Sequence, residues 1–201
     1  MAASAASSST APRVLDAAER LVQVRGFNGF SYADVAAELQ IATASLHYHF
    51  ATKADLGAAL INRYSTRFFE ALAEVDAAGA AAPAKLAAYA KLYADVLSEQ
   101  RMCLCGMLAA EYPTLPQPMQ AAVVGFFDHN ERWLEAVLEQ GRDEGSLAFT
   151  GPAAGIARMI VGGLEGAMLV TRPYGDAARF RLAAASLLAS LAARTDALPR
   201  A

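Results

Sequence analysis

The chain has 201 residues, 55% of them hydrophobic, and a formal net charge of −3. This length allows one large or two small domains with a buried core, and the negative charge excludes a general polyanion binder but not a protein that recognises one DNA sequence. Runs of alternating β-branched residues are absent and the apolar spacing is helical throughout, so the sequence predicts an all-α fold.

The N-terminus and the most apolar window of the sequence indicate the cellular compartment of the protein. The first nine residues, MAASAASSS, have neither the charged head nor the apolar stretch of a signal peptide, and they predict a disordered tail. The window from Ala153 to Val170 is interrupted by Arg158 and Glu165, which favours a buried helix over a membrane span. We therefore expect a cytoplasmic protein that does not enter a membrane.

After a first predicted helix at 10–26, the segment from Ser31 to Phe50 contains two short helices joined by a tight turn. Ser31 is a predicted N-cap, and Asp34, three residues on, is its capping-box partner. The chain turns at Gln40 and restarts at Ala42. In the second of these helices, Leu46 and Phe50 point inward. The outward side chains are Ala44, Ser45, His47 and Tyr48, with Thr43 and His49 on the flanks.

A further start signal lies at Thr52 and Asp55, which form a second capping box and place Lys53 in the first turn of a new helix. Prolines, glycines and apolar spacing predict the remaining helices at about 52–78, 83–100, 104–111, 119–144, 152–171 and 176–194.

At this point the chain resembles the TetR-type family of bacterial transcriptional regulators. The resemblance runs from about Val14 to Leu56, and it is carried by "GFNGFSYADVAAEL" followed by "LHYHF" and "TKADL" at the right spacing. It implies an all-helical homodimer with an N-terminal three-helix helix-turn-helix domain and a C-terminal helical domain for ligand binding and dimerisation. The expected partners are a near-palindromic operator in double-stranded DNA and a small-molecule effector that weakens DNA binding, with repression as the default.

The resemblance implies three groups of DNA contacts. The residues expected to face bases and nearby sugar-phosphate are Thr43, Ala44, Ser45 and Tyr48. Those expected to contact phosphate from the same helix are His47 and His49, and those at the starts of the neighbouring helices are Ser31, Tyr32 and Lys53. Three positions depart from the family pattern: Gln40 replaces a turn glycine, Ala42 a capping serine and His47 a tyrosine.

Two observations limit the alternatives for this segment. A shared metal ion on His47 and His49 is disfavoured, because residues two apart on a helix point to nearly opposite sides; no metal or cofactor is expected. From residue 1 to 70 the chain has six basic and six acidic side chains, so the net charge is zero. A DNA-binding domain usually carries a basic surface. We therefore expect DNA affinity to depend on geometry, on helix N-termini and on dimerisation, with a modest salt dependence.

The division into domains that we expect is a tail at 1–9, a DNA-binding domain at 10–54, an effector-binding and dimerisation domain at 55–195, and a tail at 196–201. The last two helices are the expected dimer interface, because Gly162, Gly163, Gly166 and Ala167 would let another helix approach closely. A tight crossing within one chain would explain the same residues.

Candidate effector contacts combine apolar side chains with a few polar ones. They are Tyr89, Tyr93, Cys103, Met107, Phe126, His129, Asn130 and Trp133. Ordinary core packing is the competing interpretation for all of them.

Three other functions were considered. The segment around Cys103 and Cys105 is similar to that of some TetR-type regulators that sense electrophiles or oxidants through a cysteine, and Arg101 could lower a thiol pKa; two buried small hydrophobes are the plainer interpretation. An enzyme is not expected, because the chain has three histidines and no Glu-x-x-His pair or phosphate-binding glycine loop. A helical adaptor would leave the outward residues of the second short helix without a role.

Overall fold

The computed structural model describes residues 2–193, with side chains from Thr10 onward. In this range the fold is all-α, as predicted. The helices are α1 (Ala2–Arg25), α2 (Tyr32–Leu39), α3 (Thr43–His49), α4 (Lys53–Ala77), α5 (Ala82–Ser98), α6 (Leu104–Ala110), α7 (Gln117–Asp143), α8 (Ala153–Thr171) and α9 (Ala177–Ala189). Short 3-10 turns follow α6 and α8. The predicted tail at 196–201 lies outside the described residues. The sequence predicted a disordered tail at 1–9, whereas the structure places residues 2–9 at the start of α1.

Both predicted capping boxes are present. Ser31 Oγ accepts a hydrogen bond from Asp34 N at 3.3 Å, while the Asp34 carboxylate accepts one from Ser31 N at 2.6 Å. Asp55 likewise accepts from Thr52 N at 2.9 Å, and Thr52 Oγ1 accepts from Asp55 N at 3.1 Å. These bonds satisfy amides that have no acceptor inside the helix, so they fix where α2 and α4 begin.

The end of α9 differs from the sequence expectation. The helix stops at Ala189 and does not continue to residue 194. Ala148 N then donates to Leu191 O at 2.8 Å, and Ala193 N donates to Ser146 O at 3.1 Å. The chain leaves the helix here because its backbone pairs with the α7–α8 connection, which a helical periodicity does not reveal.

The chain divides into two compact units. Within the described range, the first contains residues 2–70 and 100–126, and the second contains residues 71–99 and 127–193. In the first unit α1 packs on α2, α3 and α6; in the second α5, α8 and α9 pack on one another. Helix α6 thus belongs to the same unit as the helix-turn-helix. The boundary that we expected at residue 54 separates a DNA-binding part from an effector-binding part. It is not a boundary between compact units, and as a functional division it stays a prediction.

A buried carboxylate joins α1 to α4 in the first unit. Glu19 is 6% exposed, and its carboxylate lies 2.9 Å from Arg63 and 2.5 Å from Arg67. Arg63 also reaches Asp16 at 2.8 Å. Because a buried charge is tolerated only when it is paired, this cluster fixes the position of α4 against α1.

Helix α8 has an apolar face that the subunit does not cover. The segment Ala153–Tyr174 is long and apolar enough to cross a membrane by length and composition alone, and 33% of its most apolar window is buried. Its outward side chains include Leu169 and Val170, which are 61% and 66% exposed, and Leu182 of α9 is 70% exposed. Alongside them lies a cleft of about 350 Å³. Its lining residues are Ala167, Val170, Thr171, Arg179, Leu182 and Ala183.

The glycines of α8 fall into two kinds. A Cβ added to Gly162 or Gly166 would meet nothing within 4 Å, so both face open space. A Cβ on Gly163 would lie 2.9 Å from Leu187 Cδ2 of α9. The tight crossing within one chain therefore occurs at Gly163, whereas Gly162 and Gly166 leave room for a second molecule.

The turn between α2 and α3 carries the strain that its sequence indicated. Gln40 caps α2 with φ 54° and ψ 45°, in the left-handed region that disfavours a side chain. We expect Gln40→Gly to raise the free energy of unfolding by about 0.5–1 kcal/mol, measured by urea denaturation. Gln40→Ala is the matched control, because it keeps the Cβ. Equal stability of the two variants would contradict the prediction.

Candidate nucleic-acid interface

Helix α3 presents the outward face that its sequence predicted. Leu46 is fully buried and anchors the helix, while Tyr48 is 79% exposed. Thr43, Ala44 and His47 are also exposed, and Ser45 and His49 are half-buried. The exposed face carries no carboxylate, so it suits the acceptor- and donor-rich edge of DNA bases.

Tyr32 has a structural role that the sequence did not reveal. Its side chain is buried, and its hydroxyl lies 2.8 Å from Phe50 O and 2.7 Å from Thr52 O. Burial, together with the charge of Asp55, raises the pKa of Tyr32 to about 12, so the phenol stays neutral. The ring thus holds the α3–α4 connection. Its backbone N–H, in the first turn of α2, is the group that could meet a phosphate.

His47 is fixed from two sides. Its ring centroid lies 4.7 Å from that of Tyr32, and its Nδ1 lies 3.1 Å from the backbone carbonyl oxygen of Ala51. The imidazole is exposed, and its Nε2 has no hydrogen-bond partner in the described part of the chain. One edge of the ring is therefore held by the protein and the other faces solvent.

Lys53 is more enclosed than a surface lysine. Its Nζ lies 2.5 Å from both Phe27 O and Phe30 O, and 4.6 and 4.3 Å from the centroids of the two rings. Burial lowers the pKa of Lys53, and the charges of Glu111 and Asp34 oppose that shift. The ammonium thus ties α4 to the loop before α2. Its predicted role as a phosphate ligand would require it to leave these carbonyls.

Glu111, at the end of α6, is the residue that sequence reasoning missed. Its carboxylate accepts hydrogen bonds from Phe27 N at 2.5 Å and Asn28 N at 3.2 Å. Gly26 adopts φ +86°, and a Cβ there would lie 2.8 Å from Glu111 Oε1. The two partners are 84 residues apart in sequence, and no local pattern connects them. Glu111 fixes the loop that precedes the helix-turn-helix.

The cations of the first seventy residues all have partners within the chain. Arg20 pairs with Glu38 and Arg25 lies 3.9 Å from Asp34. Arg13 donates to Leu39 O at 3.4 Å, and the others are Lys53, Arg63 and Arg67, described above. Few of these charges are available to neutralise phosphates.

Because few positive charges are available to neutralise phosphates, DNA binding should depend only modestly on salt concentration. At pH 8 we expect a slope of about −4 in a plot of log Kobs against log salt concentration, which corresponds to about two neutralised phosphates per subunit. Fluorescence anisotropy from 50 to about 300 mM salt measures it. A slope near −10 would show that the cations leave their partners for DNA.

The candidate effector contacts fall in both units. In the first unit, Cys103 and Phe126 are buried, and Met107 is half-buried. Tyr64 Oη lies 3.5 Å from Cys103 Sγ, and the Tyr64 ring lies 5.7 Å from that of Phe126. The aromatic rings of Tyr64, Phe68 and Phe69 thus form a cluster around Phe126, which is one of the predicted residues. Tyr64 is a member of this cluster that was not predicted from the sequence.

In the second unit, three predicted residues lie together. Tyr89 and Tyr93 have their hydroxyls 3.0 Å apart, and Tyr89 stacks on Trp133 at 5.7 Å. Trp133 Nε1 donates to Asp76 at 2.8 Å. On the same α7 helix as Trp133, Asn130 is fully buried, and burial together with Arg132 lowers the pKa of His129. Their role in effector binding stays a prediction.

Comparison with known proteins agrees with this architecture. Residues 14–60 match the family model for bacterial regulatory proteins of the tetR family, and residues 82–187 match that for the tetracyclin repressor-like C-terminal domain. The chain is 26% identical over 149 residues to the transcriptional regulator AcuR of Cereibacter sphaeroides, covering 72% of this chain and 68% of that protein.

Solved structures show the same relationship. A TetR-family transcriptional regulator from Agrobacterium tumefaciens is 33% identical, with a TM-score of 0.89 over 93% of this chain and 100% of that one. A TetR transcriptional regulator from Legionella pneumophila is 31% identical, with a TM-score of 0.81 over 89% and 95% of the two chains. Members of this family bind operator DNA as dimers and are typically not enzymes. The chain belongs to the TetR family of transcriptional regulators, with an N-terminal helix-turn-helix that binds DNA.

Proposed function

We propose that this protein is a cytoplasmic, ligand-responsive repressor that binds a near-palindromic operator as a dimer and is released by a small molecule. The observation that carries the DNA-binding part is the exposed face of α3, fixed by the buried Leu46 beneath it. The residues proposed to contact bases and nearby sugar-phosphate are Thr43, Ala44, Ser45 and Tyr48. Those for phosphate contacts are His47 and His49 with the first turns of α2 and α4, which contain Ser31, Tyr32 and Lys53.

The dimer is proposed to form through α8 and α9. Both helices expose apolar side chains beside the open Gly162 and Gly166. A face that is apolar and uncovered favours a second copy of the chain, because a two-fold axis then buries the same residues from both subunits. The cleft next to Ala167 and Leu182 provides a site for a partner side chain.

The effector response is proposed to act through α4 and α6. Helix α4 begins at Lys53, whose ammonium lies against the loop before α2. Glu111, the residue directly after α6, fixes the same loop. A small displacement of either helix changes the separation of the two α3 helices in a dimer. The effector can do this only if it binds the released state more tightly than the DNA-bound state.

Oxidant sensing by Cys103 or Cys105 gains less support. Tyr64 provides a hydrogen-bond donor at Cys103 Sγ, but both thiols are fully buried. A sensing thiol must be reached by its reagent, so we do not propose this function.

The test is a selection of genomic fragments with the full-length protein. The expected result is a symmetric motif whose half-sites lie one DNA turn apart, about 34 Å. Tyr48→Ala is the companion variant, since the exposed Tyr48 contributes nothing to the core, and it should weaken the motif without lowering the thermal stability. Enrichment of no motif by the wild-type protein would reject the proposed function.

A further inference from the structure

The hydrogen bond between His47 and Ala51 determines which nitrogen of the imidazole carries a proton. Nδ1 lies 3.1 Å from the carbonyl oxygen of Ala51, and a carbonyl can only accept. Nδ1 must therefore be the protonated nitrogen in the neutral ring, so Nε2 carries the lone pair. The ring cannot reverse these roles without losing the contact.

The contacts of the imidazole ring with the protein keep Nε2 directed toward solvent. Tyr32 packs on one side of the imidazole, and its own hydroxyl is held by Phe50 O and Thr52 O. The Ala51 carbonyl belongs to the same connection, between α3 and α4. His47 is thus held by α2 and by this connection, next to the starts of two helices whose N-termini favour an anion.

The charged and titratable groups on the packed elements do not satisfy Nε2. On α2, Tyr32 is neutral, with its pKa raised to about 12. On α4, Asp55 accepts from Thr52 N and Oγ1 at 2.9 and 2.8 Å, and the Lys53 ammonium lies against the carbonyls of Phe27 and Phe30. On α3 itself the titratable neighbours are Tyr48 and His49, whose rings contact each other at 5.1 Å. On α1, which also packs on α3, Arg13 donates to Leu39 O, Arg20 pairs with Glu38, and Asp16 and Glu19 pair with Arg63.

This geometry has a direct consequence for a phosphate contact. A phosphate oxygen accepts hydrogen bonds, and a neutral His47 would meet it with a lone pair. Only the imidazolium presents an N–H at Nε2, and that bond is charge-assisted. A tyrosine, which the family pattern has at this position, would donate from its hydroxyl at any pH near neutrality.

We propose that His47 is a proton-dependent phosphate ligand, so that operator binding takes up a proton on His47 of each subunit. The inference rests on the proposed DNA-binding function and adds a pH dependence to it. Binding raises the affinity of the ring for its proton, so the contact is present at low pH. It is lost at high pH, where the neutral ring has no N–H at Nε2.

The test is operator affinity against pH at constant ionic strength, measured by fluorescence anisotropy with the selected duplex. We expect the wild-type affinity to fall by about 10- to 100-fold between pH 6 and pH 8.5, because two rings act in a dimer and each linked proton contributes up to tenfold per pH unit. His47→Gln and His47→Tyr, which keep a donor but do not titrate near neutrality, should show flat profiles.

Calorimetry in buffers of different ionisation enthalpy provides a second readout on the unmodified protein. Net proton uptake on operator binding near pH 7 supports the proposal, and zero uptake overturns it. A flat wild-type profile, or a pH dependence that survives in His47→Gln, also overturns it. Affinity that rises with pH would show instead that the Nε2 lone pair accepts from a base amine. If the wild-type protein binds no duplex at pH 6, the proposed function has failed, and not only the role of His47.

Discussion

Gly166→Leu is expected to convert the dimer to folded monomers and to reduce operator affinity at least about a hundredfold, since linking two binding modules typically contributes 10²–10⁴. A Cβ added at Gly166 meets nothing within 4 Å in its own subunit, and leucine improves helix propensity by up to about 1 kcal/mol relative to glycine. The added side chain therefore disturbs only a helix of the partner. Light scattering gives the mass, and anisotropy gives the affinity.

Two matched variants make this result specific. Gly125→Leu places the same change in open space on α7 and should leave both mass and affinity unchanged. Gly163→Leu is less informative, because Leu187 of the same subunit lies 2.9 Å from the new Cβ. A loss of dimer in that variant could come from unfolding of the subunit as well as from dissociation. A Gly166→Leu protein that remains a dimer at micromolar concentration would show that the interface lies elsewhere.

Glu111→Gln is expected to lower the free energy of unfolding by about 1.5–3 kcal/mol, the range for hydrogen bonds to a charged group. The carboxylate accepts from two backbone amides, Phe27 N and Asn28 N. A glutamine amide can accept one of these bonds with its oxygen, but its NH₂ group then faces the other donor. Loss of the charge also lowers the pKa of Lys53 further, because Glu111 stabilises that ammonium. Operator affinity should fall by about tenfold or more, since the loop positions the start of α2.

The control for this variant is Glu139→Gln, which breaks an exposed pair with Arg142 at 3.0 Å. Exposed pairs contribute about 0–1 kcal/mol, so the change should be small. Urea denaturation of the two variants compares them directly. Equal losses from Glu111→Gln and Glu139→Gln would mean that Glu111 is an ordinary surface residue.

Local signals made much of this fold predictable. Ser31 with Asp34, and Thr52 with Asp55, place capping bonds within three residues of one another, so the start of a helix is visible in sequence. The strained turn was predictable from the family resemblance. Gln40 stands where the family pattern has glycine, and the backbone there has φ 54°. The inward position of Leu46 followed from helical periodicity alone.

The rest depends on contacts between residues far apart in sequence. Glu111 lies at the end of one helix, and its amide partners lie in a loop 84 residues earlier. Lys53 was expected to face phosphate, yet its ammonium lies between two carbonyls and two rings. The glycines of α8 look alike in sequence, but Gly163 packs on Leu187 while Gly166 is open. Only the packing distinguishes such residues.

In the proposed complex, the two α3 helices of one dimer read two half-sites on the same face of DNA. The most direct measurement compares the selected operator with a duplex in which about five base pairs, half a helical turn, are inserted between the half-sites. We predict at least a hundredfold weaker binding to the inserted duplex at equal salt and pH. Equal affinity for the two duplexes would contradict simultaneous binding of two half-sites by one dimer.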